Sequence, residues 1–426
     1  MKTRLKNSIG WTIVNVCRFL LALTFIFSGT VKLIDPLGTA YKIEDYALAF
    51  GLASLLPSYS SVFLSIGLAL FEFGMGMYMF FGTRRLRTTR LLLLFLLLVI
   101  PLTLYIAIKN PVQDCGCFGD AWALSNWQTF VKNLILLAAC VVVVWHPEKM
   151  TRFISERNQW MVSVYSWIFG LVLALVCLYR LPIVDFRPYS IGSDILQKMA
   201  LKEDDSELKT FFLMEKDGVQ KEFTLENYPD STWQLVDTRT EGKDYAESKP
   251  EIDDLAIVSV ESGEDITYTL LNDTAYKFLL VAPYLEMADD GAMDRISALC
   301  DYCRDYGYQF LGLTSSGTEA ISHWQDITGG EYPFFQVDEI PLKTMVRSNP
   351  GLILLHGSTV VAKWPSSSFP KEQELVAPLE ELSFSHSDNE RTAKGWMKLI
   401  LWYLIPLALC IMADRLWALW MYRKNR

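Results

Sequence analysis

"NPVQDCGCFGDAW", residues 110–122, places two cysteines one glycine apart, directly after a long apolar run. What Cys115 and Cys117 can do depends on which side of a bilayer they face, so the threading of the whole chain comes first. Six segments, approximately 11–33, 61–82, 90–109, 127–146, 161–180 and 396–420, are long and apolar enough to cross a bilayer, which takes about 20 residues. The first is long and no small-residue cleavage site follows it, so it reads as a retained helix rather than a removed signal.

Lys and Arg in short loops set orientation. The start "MKTRLKNSIGW", the loop "GTRRLRTTR" with Arg84, Arg85, Arg87 and Arg90, the loop "HPEKMTRFISER" with Lys149, Arg152 and Arg157, and the end "YRKNR" are all basic. Six spans put these four stretches on one side, the cytoplasmic one, together with both termini. Residues 34–60, the 110–126 cysteine loop and residues 181–395 then face outward. For a bacterial inner membrane, that means the periplasm.

The charge distribution fits this division. Of 426 residues 51% are hydrophobic, and the net charge is −9. Residues 185–395 hold 18 basic and 39 acidic side chains, a net of −21, while the remainder holds 21 basic and 9 acidic, a net of +12. The acidic part would be repelled by phosphates, so nucleic acid is excluded as a partner; the lipid bilayer is the evident one.

On the outward side disulfides can persist. Zinc would ask for four N or S ligands, and the loop offers two cysteines, with the four histidines elsewhere, so no metal is expected. A purely structural bridge across one residue closes almost no loop and removes little unfolded-state entropy. Gly116 permits the bend, and a strained, exposed disulfide is readily reduced. Cys115 and Cys117 therefore read as a redox-active pair. Asp114 and Asp120 flank them and should raise the thiol pKa values, or else simply make the turn beside Gly119.

"DCGCFGDA" in the outward loop between the third and fourth spans resembles the DoxX/MauE group of small four-helix membrane proteins. So does "CRFLLALTFIFSGTVKLIDP" in the first span, with an Arg near its start and a Ser-Gly…Lys-Leu ending, and "FEFGMGMYMFFG" in the second. The resemblance covers about residues 11–146. It implies a thiol–disulfide or quinone-linked role, of the kind proposed for relatives that help periplasmic proteins acquire disulfides.

Glu72 lies midway along the second span, where an unpaired carboxylate costs several kcal/mol. Lys32 ends the first span on the outward side, within reach; Arg18 lies nearer the cytoplasmic end. Glu72 is read either as a proton carrier or quinone-site residue beside the dithiol, or as half of a buried structural pair. Gly74 and Gly76 are expected to let helices approach. Residues 41–56 are too short to span and are expected to form a helix on the outer surface or over the bundle. Cys17, Cys140, Cys177 and Cys410 read as small apolar residues of the spans, with Cys177 on the same side as the cysteine loop. Trp122, Trp127 and Tyr105 mark an aromatic boundary.

In the outward region, residues 185–210 read as a charged linker. "FFLMEKDGVQKEFTL" reads as a hairpin turning at Asp217-Gly218. Then "KFLLVA", "ADDGAMDRISALCDYCRDYG", "YQFLGLTSS", "GTEAISHWQDITG" (with Ser/Thr caps) and "GLILLHGSTVVAKW" alternate strand and helix, ending in two strands around His356-Gly357. Order and spacing resemble a thioredoxin-like domain over about residues 250–383, with "SNPGLILLHG" at the cis-proline segment. The Cys-x-x-Cys of that family is missing: the corresponding stretch is "APYLEMADD". A binding or positioning role follows. Cys300 and Cys303 in "CDYC" fall late in a helix, where the lowered thiol pKa of a helix start is lost; they are a second candidate redox pair, or a staple, or buried helix residues.

The organisation expected is thus a membrane domain over 1–146, a fifth span over 161–180, a linker and hairpin over 185–250, a thioredoxin-like domain over 250–383 and a last span over 396–420. The fold is an α-helical bundle of six spans with a four-helix DoxX-like core, plus an outward α/β domain. The leading functional reading is an inner-membrane thiol–disulfide oxidoreductase: Cys115 and Cys117 exchange with a periplasmic thiol protein, supported by Gly116, and quinone is the electron partner near Glu72 and Lys32. The alternative is a non-enzymatic membrane-anchored scaffold or assembly factor. A transporter is less suited, since no broken pair of Gly/Pro-interrupted helices marks a midplane site.

Overall fold

The computed structural model describes residues 2–52, 57, 60–112, 115–200, 209–216, 219–224, 234–241, 250–382 and 391–424. Among them six helices are long and apolar enough to cross a membrane. Helices α1 (Lys2–Ile34), α3 (Ser60–Phe81), α4 (Arg85–Lys109) and α5 (Asn126–Trp145) form the four-helix core, and α6 (Gln159–Tyr179) and α12 (Arg391–Lys424) pack beside it. Leu91, Leu94, Leu97 and Leu98 of α4 are exposed, as lipid-facing residues are.

The tightest crossing is α1 on α3. A Cβ on Gly76 would lie 2.6 Å from Ile26 N, and one on Gly29 would collide with the Phe73 backbone, so these two glycines allow the contact. Gly74 does not share that role: its Cβ would sit 3.5 Å from Trp167, an ordinary contact.

Helix α2 (Pro36–Ala49) starts five residues before the helix expected at 41–56 and ends seven before it. The reason is local. Asp35 caps the helix by accepting from Gly38 N at 2.9 Å, and Pro36 sits at the first helical position, where a missing N–H costs nothing. The helix lies against α3, where Ser65 Oγ donates to the Pro36 carbonyl at 2.7 Å and Ser61 Oγ to Glu44 at 2.6 Å.

At the opposite end of the bundle Asn15 Nδ2 donates to the Lys149 carbonyl, Arg85 Nη1 to the Glu148 carbonyl and Arg415 Nη2 to the Phe153 carbonyl. The basic loops thus gather at one end. The cysteine loop, α2 and the α/β domain share the other.

Segment 185–200 is not a linker. Tyr189 and Ile195 are buried in the α/β core, and α7 (Ile195–Met199) is capped by Asp194. Asp185 pairs with Lys363 Nζ at 3.0 Å and with Arg187 Nε at 2.7 Å. Burial pushes the Asp185 carboxyl up, but Lys363 and Arg187 outweigh it and hold it well below the usual carboxylate range. Charge here anchors the segment; it does not solvate it.

Strands β1 (Lys209–Lys216), β2 (Val219–Thr224) and β3 (Gln234–Glu241) form an antiparallel sheet in the order β2-β1-β3. The turn expected at Asp217-Gly218 lies outside the described residues.

The larger sheet has the order β4-β7-β6-β5-β8-β9, built from β4 (Val258–Ser259), β5 (Tyr276–Ala282), β6 (Gln309–Thr314), β7 (Phe334–Gln336), β8 (Gly351–His356) and β9 (Thr359–Pro365). β5, β6 and β7 are parallel, while β8 and β9 run antiparallel to them. β5 is buried along nearly its whole length because apolar clusters cover both faces. Helices α8 (Thr267–Asn272), α9 (Met293–Tyr306), α10 (Thr318–Thr328) and α11 (Glu339–Met345) complete a thioredoxin-like α/β domain, and the Asn349–Pro350 peptide is cis. One expectation fails in detail: α10 opens on Gly317 with no side-chain cap.

Candidate dithiol site

The chain turns at Gly116 with φ +61°, a conformation that favours glycine. The turn brings Cys115 and Cys117 Sγ to 3.2 Å as unbonded thiols in contact. Beneath them the first two spans meet in a buried polar knot. Lys32 Nζ donates to both Glu72 carboxylate oxygens at 2.7 Å. Ser28 Oγ lies 2.7 Å from Glu72 Oε2 and 2.7 Å from the Cys117 carbonyl oxygen, and accepts from Lys32 Nζ at 3.1 Å. Lys32 and Glu72 are 5% and 6% exposed, so each ion exists there because the other does. Ser28 makes the knot continuous with the cysteine loop.

The pair opens onto a cavity of about 290 Å³ within the bundle. Its apolar wall includes Phe25, Phe95, Leu96 and Leu136, and its polar positions include Lys132, Asn133 and Tyr46. Lys132 stands 4.3 Å over the Phe118 ring. Among the described residues it has no carboxylate partner.

The two thiols differ in character. Cys117 is lowered to about 6, first by the hydrogen bond from Cys115 and then, against the cost of burial, by Lys132 and Lys32. Cys115 is raised by that same hydrogen bond, by burial and by the charge of Cys117. The expectation that flanking carboxylates raise both thiols is therefore overturned for Cys117. Asp120 turns away to Arg347, which it meets at 3.0 Å; Asp114 lies outside the described residues.

Arg18 is not brought to this site. It is fully buried at the other end of α3, donating to the carbonyls of Met79, Phe80 and Thr151 and to Asn15 Oδ1. It satisfies the carbonyls that a helix end leaves without partners. Cys300 and Cys303 lie in the last two turns of α9. Burial pushes Cys300 up to about 12 and raises Cys303 as well, the opposite of an activated pair. Cys177 is packed with Leu173, Ala174 and Val184. Among the described residues no group of three metal-binding side chains occurs.

Reading the chain for carboxylates and cysteines passes over Lys132 and Ser28. The signal for Lys132 is nonetheless present, a cation inside an apolar span. Ser28 has no such signal, since a serine in a membrane helix is common.

Residues 11–146, which hold the four-helix core, match the family model described as methylamine utilisation protein MauE. Residues 208–242, which hold the three-stranded sheet, match a domain of unknown function, DUF8463. No curated protein matches the chain. The solution structure of a protein from Bacteroides thetaiotaomicron described as a disulfide isomerase is similar at 14% identity, covering 28% of this chain and 78% of that one, with a TM-score of 0.22.

Proposed function

We propose that this MauE-type bundle is a membrane thiol–disulfide redox protein working through Cys115 and Cys117. The observation that carries the reading is the dithiol in contact at 3.2 Å, tied by Ser28 to the buried Lys32–Glu72 pair and facing an apolar cavity inside the bundle. A structural staple needs neither a cavity nor a buried ion pair beneath it.

In the exchange, a thiolate of a partner protein attacks the Cys115–Cys117 disulfide and the partner's second thiol resolves the mixed disulfide, so the partner leaves as a disulfide and the pair as a dithiol; in the opposite direction the Cys117 thiolate attacks a partner disulfide and Cys115 resolves the mixed disulfide. Two electrons and two protons then pass between the pair and a membrane quinone. The dithiol becomes a disulfide as quinone becomes quinol, or the reverse. The cavity suits a quinone headgroup: an apolar wall for the ring, with Lys132 and Asn133 as donors toward its oxygens. In this reading Glu72, paired with Lys32, is the residue assigned to proton transfer beside the dithiol.

The basic loops are assigned to the cytoplasm of a bacterial inner membrane, which puts the cysteine loop and the α/β domain in the periplasm. The α/β domain has Tyr284 to Met287 where a thioredoxin carries its cysteines, so the chemistry is assigned to the bundle alone. Changing both Cys115 and Cys117 to Ser tests this in cells. Disulfide formation in outward-side proteins should fall. Normal disulfide formation with normal expression of the variant would favour a scaffold role.

A further inference from the structure

The edge of the α/β domain that bears the cis-proline is occupied by the chain's own membrane domain. Arg347, three residues before Pro350, places Nε 3.1 Å from Asp35 Oδ1 and Nη2 2.9 Å from Asp35 Oδ2. The same Nη2 lies 3.0 Å from Asp120 Oδ2. The Arg347 side chain is 5% exposed. The Tyr41 ring lies against it at 5.3 Å and against Lys343 at 4.5 Å, and Lys343 also meets the ring of Tyr284.

The two carboxylates belong to the two elements that enclose the dithiol. Asp35 is the cap of α2, whose Thr39, Lys42, Ile43 and Tyr46 line the cavity beside the cysteines. Asp120 lies three residues after Cys117 in the cysteine loop. Contact between the two elements is close: a Cβ on Gly116 would lie 3.2 Å from Lys42 Cγ. A Cβ on Gly38 would lie 2.7 Å from Arg347 Nη2, so α2 gives way at that residue for the guanidinium to enter. Arg fits here as Lys would not, because one planar fork reaches both carboxylates. Burial and the two acids act on each other: burial opposes Arg347's charge, but Asp35 and Asp120 outweigh it and hold the guanidinium protonated.

We propose that Arg347 is a positioning residue for the dithiol: it clasps α2 to the cysteine loop and keeps Cys115 and Cys117 closed to a folded protein until the cis-proline edge lifts. The thioredoxin-like domain, lacking cysteines at its own site, thereby controls access to those of the bundle. The inference rests on the reading of Cys115 and Cys117 as a working dithiol.

The test uses the full chain in membranes, reduced and then labelled with N-ethylmaleimide or with a polyethylene-glycol maleimide, the sites being located by mass spectrometry. In Arg347→Ala the bulky reagent should react with Cys115 or Cys117 about tenfold faster, with the small reagent changing far less, because local opening and not chemistry has changed. Arg347→Lys should fall between, keeping the charge without the fork. Cys303, 2% exposed in the α/β core, is the internal control and should stay unlabelled. An unchanged bulky-reagent rate with Cys303 protected overturns the proposal. So does an equal rise for both reagents with Cys303 exposed, which reports general unfolding. If Arg347→Ala does not accumulate, Asp120→Asn decides, since it cuts the loop arm and leaves the Asp35 arm in place; no rise there also overturns it. Labelling reads access and not turnover, so an accessible but idle pair would count against the redox reading alone.

Discussion

Cys117 and Lys132 carry the clearest consequence at the scale of single residues. A thiolate reacts and a thiol does not, so Cys117, lowered to about 6, should gain reactivity as pH rises through that region. Tyr46 and Lys42 from α2, Lys32 and Glu72 from the first two spans, and Lys132 from α5 all line this cavity. Removing the positive charge in Lys132→Met disfavours the thiolate and should move the midpoint of alkylation to higher pH; Lys132→Arg should restore it. A pH series of alkylation rates reads both. The Lys32–Glu72 pair makes a different prediction. Lys32→Met or Glu72→Leu alone leaves an ion buried without its partner and should cost about 3–5 kcal/mol, while the double variant recovers most of it. Thermal unfolding in detergent measures the three. Both cysteines, Glu72 and Lys32 were legible in the sequence because each is chemically out of place where it stands. The linking role of Ser28, and the exclusion of Arg18, depended on which helix end meets which loop, and that is a property of packing.

The crossing of α1 and α3 sets the site at the scale of elements, because it brings Lys32 to Glu72. Gly29→Ala should cost about 1–3 kcal/mol by forcing the helices apart, and Gly74→Ala should stay within about 0.5 kcal/mol, having room for its methyl. Thermal unfolding of the two variants side by side checks the difference. The six spans were readable from hydropathy, since a bilayer demands a length that few other helices need. The start of α2 was not, because Asp35-Pro36 looks like the end of the first span until its capping bond is seen. Segment 185–200 was misleading for a related reason. Its charges suggested solvent, yet Asp185 and Arg187 find Lys363 and the Thr344 carbonyl far along the chain. Strand β7 and helix α11 are too short to impose a period on the sequence. Gly317 as the α10 cap shows that Ser/Thr near a helix start need not be the cap.

At the scale of the whole molecule, the thioredoxin-like fold was legible from strand order and Pro350, and the absence of cysteines at the position of that family's Cys-x-x-Cys from "APYLEMADD". Its seat on the membrane domain was not, because Arg347 lies 312 residues from Asp35 and 227 from Asp120 in the chain, and none of them is unusual alone. In the reading proposed above, Cys115 and Cys117 of the bundle carry the chemistry and the α/β domain meets them through Arg347, and the central proposal is that this dithiol cycles with quinone. The most direct test is the thiol state of Cys115 and Cys117 in intact membranes, trapped with acid, alkylated and counted by mass spectrometry, with and without an inhibitor of the respiratory chain. The expected result is that inhibition, by stopping quinone turnover, shifts the pair between disulfide and dithiol while Cys300 and Cys303 do not change. A Cys115–Cys117 pair whose state is the same under both conditions would contradict the claim.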